Sequence, residues 1–302
     1  MIYHIFLWST IVFWGLSFVA TSVIIDTLPP VMTAMIRFLI AWFVLIIITK
    51  GHKPYGSLKH RLLCGLWGIT LYFVFENFAL RYTSPTNVAL IISTIPMFNL
   101  IYLKMFSSIN ISKKNVAGSL TAFLGVGVVI VGDQFRLEVN PLGDLLTIFA
   151  VIAWIMYTHY LIEIEKKNND HSQKNDFFRT LSVTKSITFW GFIFLIPPSA
   201  VEFFSFKGDI LLPFQSPQII ISLLYLGIFC SSLAYYFWNE SLKHLGPRKT
   251  TNSLFTIPIV TAFAQGIFLK DVPHLTTIIG GTLVIAGLFY SENKSESKHD
   301  HL

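Results

Sequence analysis

The sequence predicts an all-α polytopic membrane protein, with ten transmembrane helices arranged as two inverted five-helix repeats. Three observations predict it. The 302 residues are 53% hydrophobic and only 13% charged, against roughly 25% charged in soluble domains. The chain holds ten mainly apolar runs near the length of ~20 residues that a helix needs to cross a bilayer. The second half also echoes the first. A shift of 162 positions sets Phe75 on Phe237, Asn77 on Asn239, Pro85 on Pro247, Thr94-Ile95-Pro96 on Thr256-Ile257-Pro258, Gly118 on Gly280 and Gly125 on Gly287. A shift of 148 sets Arg37 on Lys185 and Trp42 on Trp190. Two copies of an odd number of spans must enter the membrane in opposite senses, which is the build of a transporter with a central site.

The spans predicted in order are 3–25, 30–49, 62–81, 86–106, 114–132, 141–163, 177–197, 217–241, 249–269 and 272–290. The first is long enough to span and lacks a preceding basic stretch, so it does not read as a cleaved signal. Prolines at Pro29-Pro30, Pro141, Pro217 and Pro273 mark span starts, where a missing backbone donor costs nothing. A β-barrel would need alternating segments of about ten residues, and unbroken runs such as 43–48 do not alternate. The expected domains are residues 1–132 and 141–290, one repeat each, followed by a charged, disordered tail, 291–302. Connections fall at 132–140, at the polar loop 163–176 and at a long loop 199–216 whose phenylalanines suit a membrane interface.

Charge placement predicts orientation. Of the 22 Lys and Arg residues, sixteen lie on the side of the N-terminus, four on the other side, and Arg37 and Lys185 within spans. That asymmetry puts both termini in the cytoplasm of a multi-pass cell-membrane protein. The net charge of +6 is spread over short loops rather than one stripe, so nucleic acid is not the expected partner. The expected partners are lipid and a small-molecule metabolite. Cys64 and Cys230 lie inside apolar runs and suggest neither a disulfide nor a ligand pair. No phosphate-cradling Gly-rich loop and no His-Glu-x-x-His pattern is present, so no cofactor, metal or enzymatic activity is expected.

Ionisable groups deep in a span are costly and mark cavities or partners. Arg37 and Lys185 each lie about 10 Å into a span. They are expected to form a positive pair binding an anionic group such as a substrate carboxylate; the plain alternative is helix-end bonding and snorkelling. Glu76 is the candidate proton-coupling site or counter-ion of Arg37, since a carboxyl in low dielectric can exchange a proton near neutral pH. Glu240, beside Lys243, reads as solvated. His159 is a second proton-exchange candidate, with simple packing as its alternative. Trp14, Trp154 and Tyr157 are candidate cavity walls, because their rings lie inside spans rather than in an interfacial belt. Pro96 and Pro258 fall within spans and would bend them, as hinges or as fixed kinks. Gly118, Gly125, Gly127, Gly280, Gly281 and Gly287 predict closely packed helix faces, as scaffold or as a homodimer interface.

This ordered set is similar to the EamA family of the drug/metabolite transporter superfamily. The resemblance is carried by Trp14-Gly15, Pro29-Pro30, Arg37-Phe38, the stretch 77–96, Ala153-Trp154 and the stretch 239–258, and it covers about residues 5–290. It implies export or exchange of small metabolites, amino acids among them, without ATP. The chain departs from the family pattern at Leu16-Ser17, where Asn is frequent. The expected function is therefore a secondary transporter, an exporter working by alternating access. Import or exchange of a phosphorylated or nucleotide-like solute is a second possibility, and a non-transporting scaffold or membrane enzyme is a third.

Overall fold

The computed structural model describes residues 1–24, 27–49, 51–83, 85–106, 111–131, 140–166, 176–268 and 275–292. Every element among them is helical. They are α1 (Ile2–Ser22), α2 (Pro30–Thr49), α3 (Leu58–Gly65), α4 (Tyr72–Ala79), α5 (Pro85–Ile92), α6 (Ile95–Phe106), α7 (Lys113–Val131), α8 (Pro141–Lys166), α9 (Asp176–Ser205), α10 (Pro217–Tyr225), α11 (Ala234–Asn252), α12 (Ile257–Phe268) and α13 (Leu275–Glu292). Wide π-turns, Leu66–Leu71 and Leu226–Leu233, join α3 to α4 and α10 to α11. Seven helical segments are long and apolar enough to cross a membrane, and Leu275–Ser291 is a shorter apolar helix.

One of the seven, Pro217–Phe268, runs for 52 residues, more than twice what a bilayer accepts. It turns at Gly246, whose φ of 80° and ψ of 159° are non-helical. Only glycine takes that φ freely, and Pro247 then starts the next turn without a donor to lose.

The helix bounds repeat where the sequence does. Shifted by 162, α6 coincides with α12 at both ends, the first residue of α7 falls on that of α13, and the first π-turn segment falls within the second. Two helix pairs run antiparallel. In α7 and α13, a methyl group at Gly118 would sit 2.5 Å from the Gly287 carbonyl oxygen, and one at Gly125 would sit 2.6 Å from that of Gly280. The small-residue face is thus used within the chain. Gly125→Ala is expected to cost about 1–3 kcal/mol by overpacking, read as a lower unfolding temperature in nanodiscs.

In α2 and α9, Ser199 Oγ donates to the Val31 carbonyl at one end, and Lys185 Nζ donates to Thr49 Oγ1 at the other. These bonds extend α9 beyond the predicted end at 197. The helix passes Pro197 and Pro198 and continues to Ser205, so the predicted loop 199–216 shortens to 206–216. Likewise Ser291 ends a helix rather than opening a tail: its carbonyl accepts from Asn115 Nδ2 at 2.7 Å. Of the loops predicted at 132–140 and 163–176, residues 132–139 and 167–175 lie outside the described residues, as do Pro273 and the tail from 293, while α8 continues through 163–166.

Candidate substrate cavity

Both π-turn segments build the centre of the molecule. A π-turn displaces a carbonyl from its usual helical partner. The freed carbonyls are at Gly68 and Cys230, positions equivalent at the shift of 162, and each accepts from an aromatic donor of the other half. Trp14 Nε1 donates to the Cys230 oxygen at 3.1 Å, and Tyr235 Oη donates to the Gly68 oxygen at 3.0 Å. These two bonds lock an aromatic cage. The Trp14 ring lies 5.4 Å from Trp154, 5.9 Å from Tyr235 and 5.2 Å from Trp238. Tyr72 lies 5.3 Å from Trp154. The indole nitrogens of Trp154 and Trp238 are buried and have no hydrogen-bond partner. Trp14 and Tyr72 are only half-buried, so the cage is not fully covered.

Arg37 and Glu76 border the cage on the Tyr72 side. Arg37 is 9% exposed. Its Nε donates to Ser231 Oγ at 2.7 Å, again within a π-turn segment. Its guanidinium lies 5.1 Å from the centre of the Phe73 ring and 5.7 Å from that of Phe38, within cation–π range. Glu76 accepts a long hydrogen bond from Tyr72 Oη, 3.4 Å, and interacts electrostatically with Arg37 without a direct ion pair. A charged donor and a charged acceptor thus flank one aromatic wall.

The structure brings Trp14, Trp154, Arg37 and Glu76 together. Lys185 does not join them. It bonds Thr49 and the His52 carbonyl, and Thr49 is twelve residues from Arg37, about 18 Å along α2. Tyr157 is fully covered. It touches the cage from behind, donating its hydroxyl to Asn239 Oδ1 at 2.6 Å, while Asn239 donates to Thr184. His159 sits apart, against Tyr102 Oη at 2.5 Å and the Tyr160 ring. Pro96 and Pro258 are each the second residue of a helix, after breaks at Ser93-Thr94 and in the 3-10 turn Ser253–Thr256. Each break lies in the turn before the proline, where the missing N–H and the ring's clash with the carbonyl four residues back disrupt a helix. Glu240 is 4% exposed and faces His244, which corrects the expectation of a solvated carboxylate. Sequence reasoning reached Trp238 only as one of several rings inside spans and missed Ser231, whose only signal was its place in the apolar run 226–233.

A second polar cluster closes the N-terminal end. Tyr55 donates a short hydrogen bond to Glu165, and Lys243 lies 3.7 Å from the other oxygen of Glu165. Burial, then the Glu165 carboxylate, push the Tyr55 hydroxyl far above its ordinary pKa, so it remains a donor.

The EamA-like transporter family matches residues 1–131 and 177–291. An uncharacterized transporter of Archaeoglobus fulgidus is 30% identical over 284 residues, covering 93% of this chain and 95% of its own. A probable amino-acid metabolite efflux pump of Escherichia coli is 25% identical, covering 92% and 91%. A probable terminal-alkyne amino-acid exporter of Streptantibioticus cattleyicolor is 24% identical, covering 92% and 89%. A solved crystal structure superposes with a TM-score of 0.75 over 96% of each chain at 17% identity, which shows a shared fold. With the helical bundle, the repeated helix bounds and these matches in hand, the chain belongs to the EamA-like transporter family.

Proposed function

We propose that the protein is a secondary exporter of small amino-acid-like metabolites, built of ten helices in two inverted repeats and working by alternating access. The observation that carries this reading is the cage itself. Arg37 and Glu76 stand on one aromatic wall without a direct ion pair, as they would to hold the carboxylate and the ammonium of a zwitterion. Two unpartnered indole donors add acceptor preference. The antiparallel packing of α7 on α13 supports the inverted relation, since Gly118 meets Gly287 and Gly125 meets Gly280, each glycine of α7 facing the equivalent of the other. Both termini are cytoplasmic on the basic-residue count. Breaks at 93–94 and 253–256, next to Pro96 and Pro258, are the hinges. Lys185, Tyr157 and His159 act at one remove: Lys185 ties α2 to α9, Tyr157 backs the cage, and His159 holds α8 to α6. A phosphorylated solute is less well supported, because the second interior cation it called for is not at the cage.

Uptake of labelled amino acids and a control panel into proteoliposomes, with and without an imposed pH gradient, tests the reading. Saturable uptake of amino acids supports it; a folded protein that moves no member of the panel sinks it. Glu76→Gln is expected to weaken binding of the zwitterion by about tenfold or more, since it removes the charge that faces the ammonium. It is also expected to lose acceleration by the gradient, since an amide cannot carry the proton. Unaltered gradient dependence in that variant would remove Glu76 from coupling.

A further inference from the structure

Arg81 and Lys243 occupy equivalent positions at the shift of 162, yet they lie at opposite ends of the bundle. Each meets a carboxylate that is almost fully buried. Arg81 Nη2 lies 2.9 Å from Glu202 Oε1, and the carboxylate is 7% exposed. The other oxygen, Glu202 Oε2, accepts the backbone N–H groups of Val31 and Met32 at 2.8 and 3.0 Å. One carboxylate therefore joins the end of α4, the start of α2 and the end of α9. A cavity of about 230 Å³ opens beside it, lined by Pro29, Arg81, Glu202 and Phe206.

The N-terminal end carries the counterpart. Lys243 in α11 lies 3.7 Å from Glu165 Oε2, and the Glu165 side chain is 9% exposed. The other oxygen, Glu165 Oε1, accepts from Tyr55, in the segment that follows α2. Lys243 and Arg179 both lie over the Tyr55 ring, at 5.9 and 5.1 Å. The two ends correspond. Arg81, from the first half, holds the end of α9; Lys243, from the second half, holds the chain just beyond the end of α2. At the shift of 148, Glu202 falls on Pro54, the neighbour of Tyr55.

We propose that Arg81–Glu202 and Lys243–Glu165–Tyr55 are reciprocal latches, one at each mouth of the cage, so that release of either opens its own end and tightens the other. Both are closed in this structure. Each latch buries a carboxylate, which is costly once its cation leaves, so opening requires water to reach that carboxylate and separates the α2–α9 pair at that end. The inference rests on the alternating-access reading above, and its test is independent of transport.

Backbone hydrogen exchange of the full chain in nanodiscs, read by mass spectrometry, gives that test. Arg81→Gln is expected to speed exchange by about threefold or more over residues 29–34 and 199–206 and to slow it over 51–57 and 177–183. Lys243→Gln is expected to give the mirror image, as is Tyr55→Phe, which removes a second donor to Glu165. Arg81→Lys and Lys243→Arg keep the charge and should retain the parent pattern. A rise at one end without a fall at the other would leave two independent clasps and overturn reciprocity. Exchange unmoved by every variant, or moved at the same end by all, would overturn the latches altogether. Uptake by the parent protein is measured separately. Mirror-image exchange without uptake keeps the latches and sinks the transport reading, and uptake with unmoved exchange does the reverse.

Discussion

Arg37→Gln is expected to lower solute uptake by about two orders of magnitude at unchanged expression. The guanidinium is the one cation that reaches the cage among the described residues. A hydrogen bond to a charged group contributes about 1.5–3 kcal/mol, and about 2.7 kcal/mol is a hundredfold in rate or affinity. Glutamine retains a donor for Ser231 and roughly the same reach, so the loss isolates charge. Arg37→Lys keeps the charge but not the fork that bonds Ser231 while presenting further donors to a solute. It should recover only part of the activity. Initial rates in proteoliposomes across a concentration series check both variants. Parent-like rates in Arg37→Gln would reduce Arg37 to a structural residue held by Ser231 and the two phenylalanines.

Trp14→Ala should raise the concentration of solute needed for half-maximal uptake by about tenfold or more. Trp14, like Tyr72, is a half-buried member of the cage, so its face is available to a cationic or aromatic group, a contact of about 0.5–2 kcal/mol. Its loss also strips the Cys230 carbonyl of its donor, and a buried acceptor left without one costs about 1–3 kcal/mol. Trp14→Phe keeps the wall and removes the donor. If the two variants behave alike, the hydrogen bond to the π-turn matters more than the ring; if Phe behaves like the parent, the ring matters more. Either result is read as the solute dependence of initial rates, beside the unfolding temperature of each variant.

The span positions were legible because a bilayer imposes them. A run of ~20 apolar residues has no other economical use, and α2, α6 and α7 begin or end within a residue or two of expectation. The 162-residue shift was also legible, as matched polar and proline positions, and the helix bounds follow it. The end of α9 was not legible. Its own Ser199 and Glu202 bond the distant start of α2, and that packing carries the helix past two prolines that would stop an isolated one.

The pairing of Arg37 with Lys185 failed for a geometric reason. In the proposed inverted arrangement, a two-fold axis in the membrane plane carries a residue at one depth to the same depth on the other side. Equivalent residues about 10 Å from opposite faces therefore stay apart, and only residues near the midplane can meet. Trp14 and Trp154 satisfy that condition, being midway along α1 and α8, and they do meet. Arg37 finds its electrostatic neighbour in Glu76, which has no charged equivalent in the other half.

The sequence by itself determined that the chain is a helical membrane bundle, where its halves correspond, and which rings and charges lie at depth. Composition, periodic length and internal repetition depend only on residue order. The tertiary structure decided which of those groups share a cavity. The π-turns at Leu66–Leu71 and Leu226–Leu233 leave no mark in hydropathy, yet they rotate the helices that carry Phe73, Glu76, Ser231 and Tyr235, and they free the carbonyls that hold Trp14 and Tyr235. Helix rotation is set by packing against neighbours, and that information is spread over residues more than a hundred positions apart.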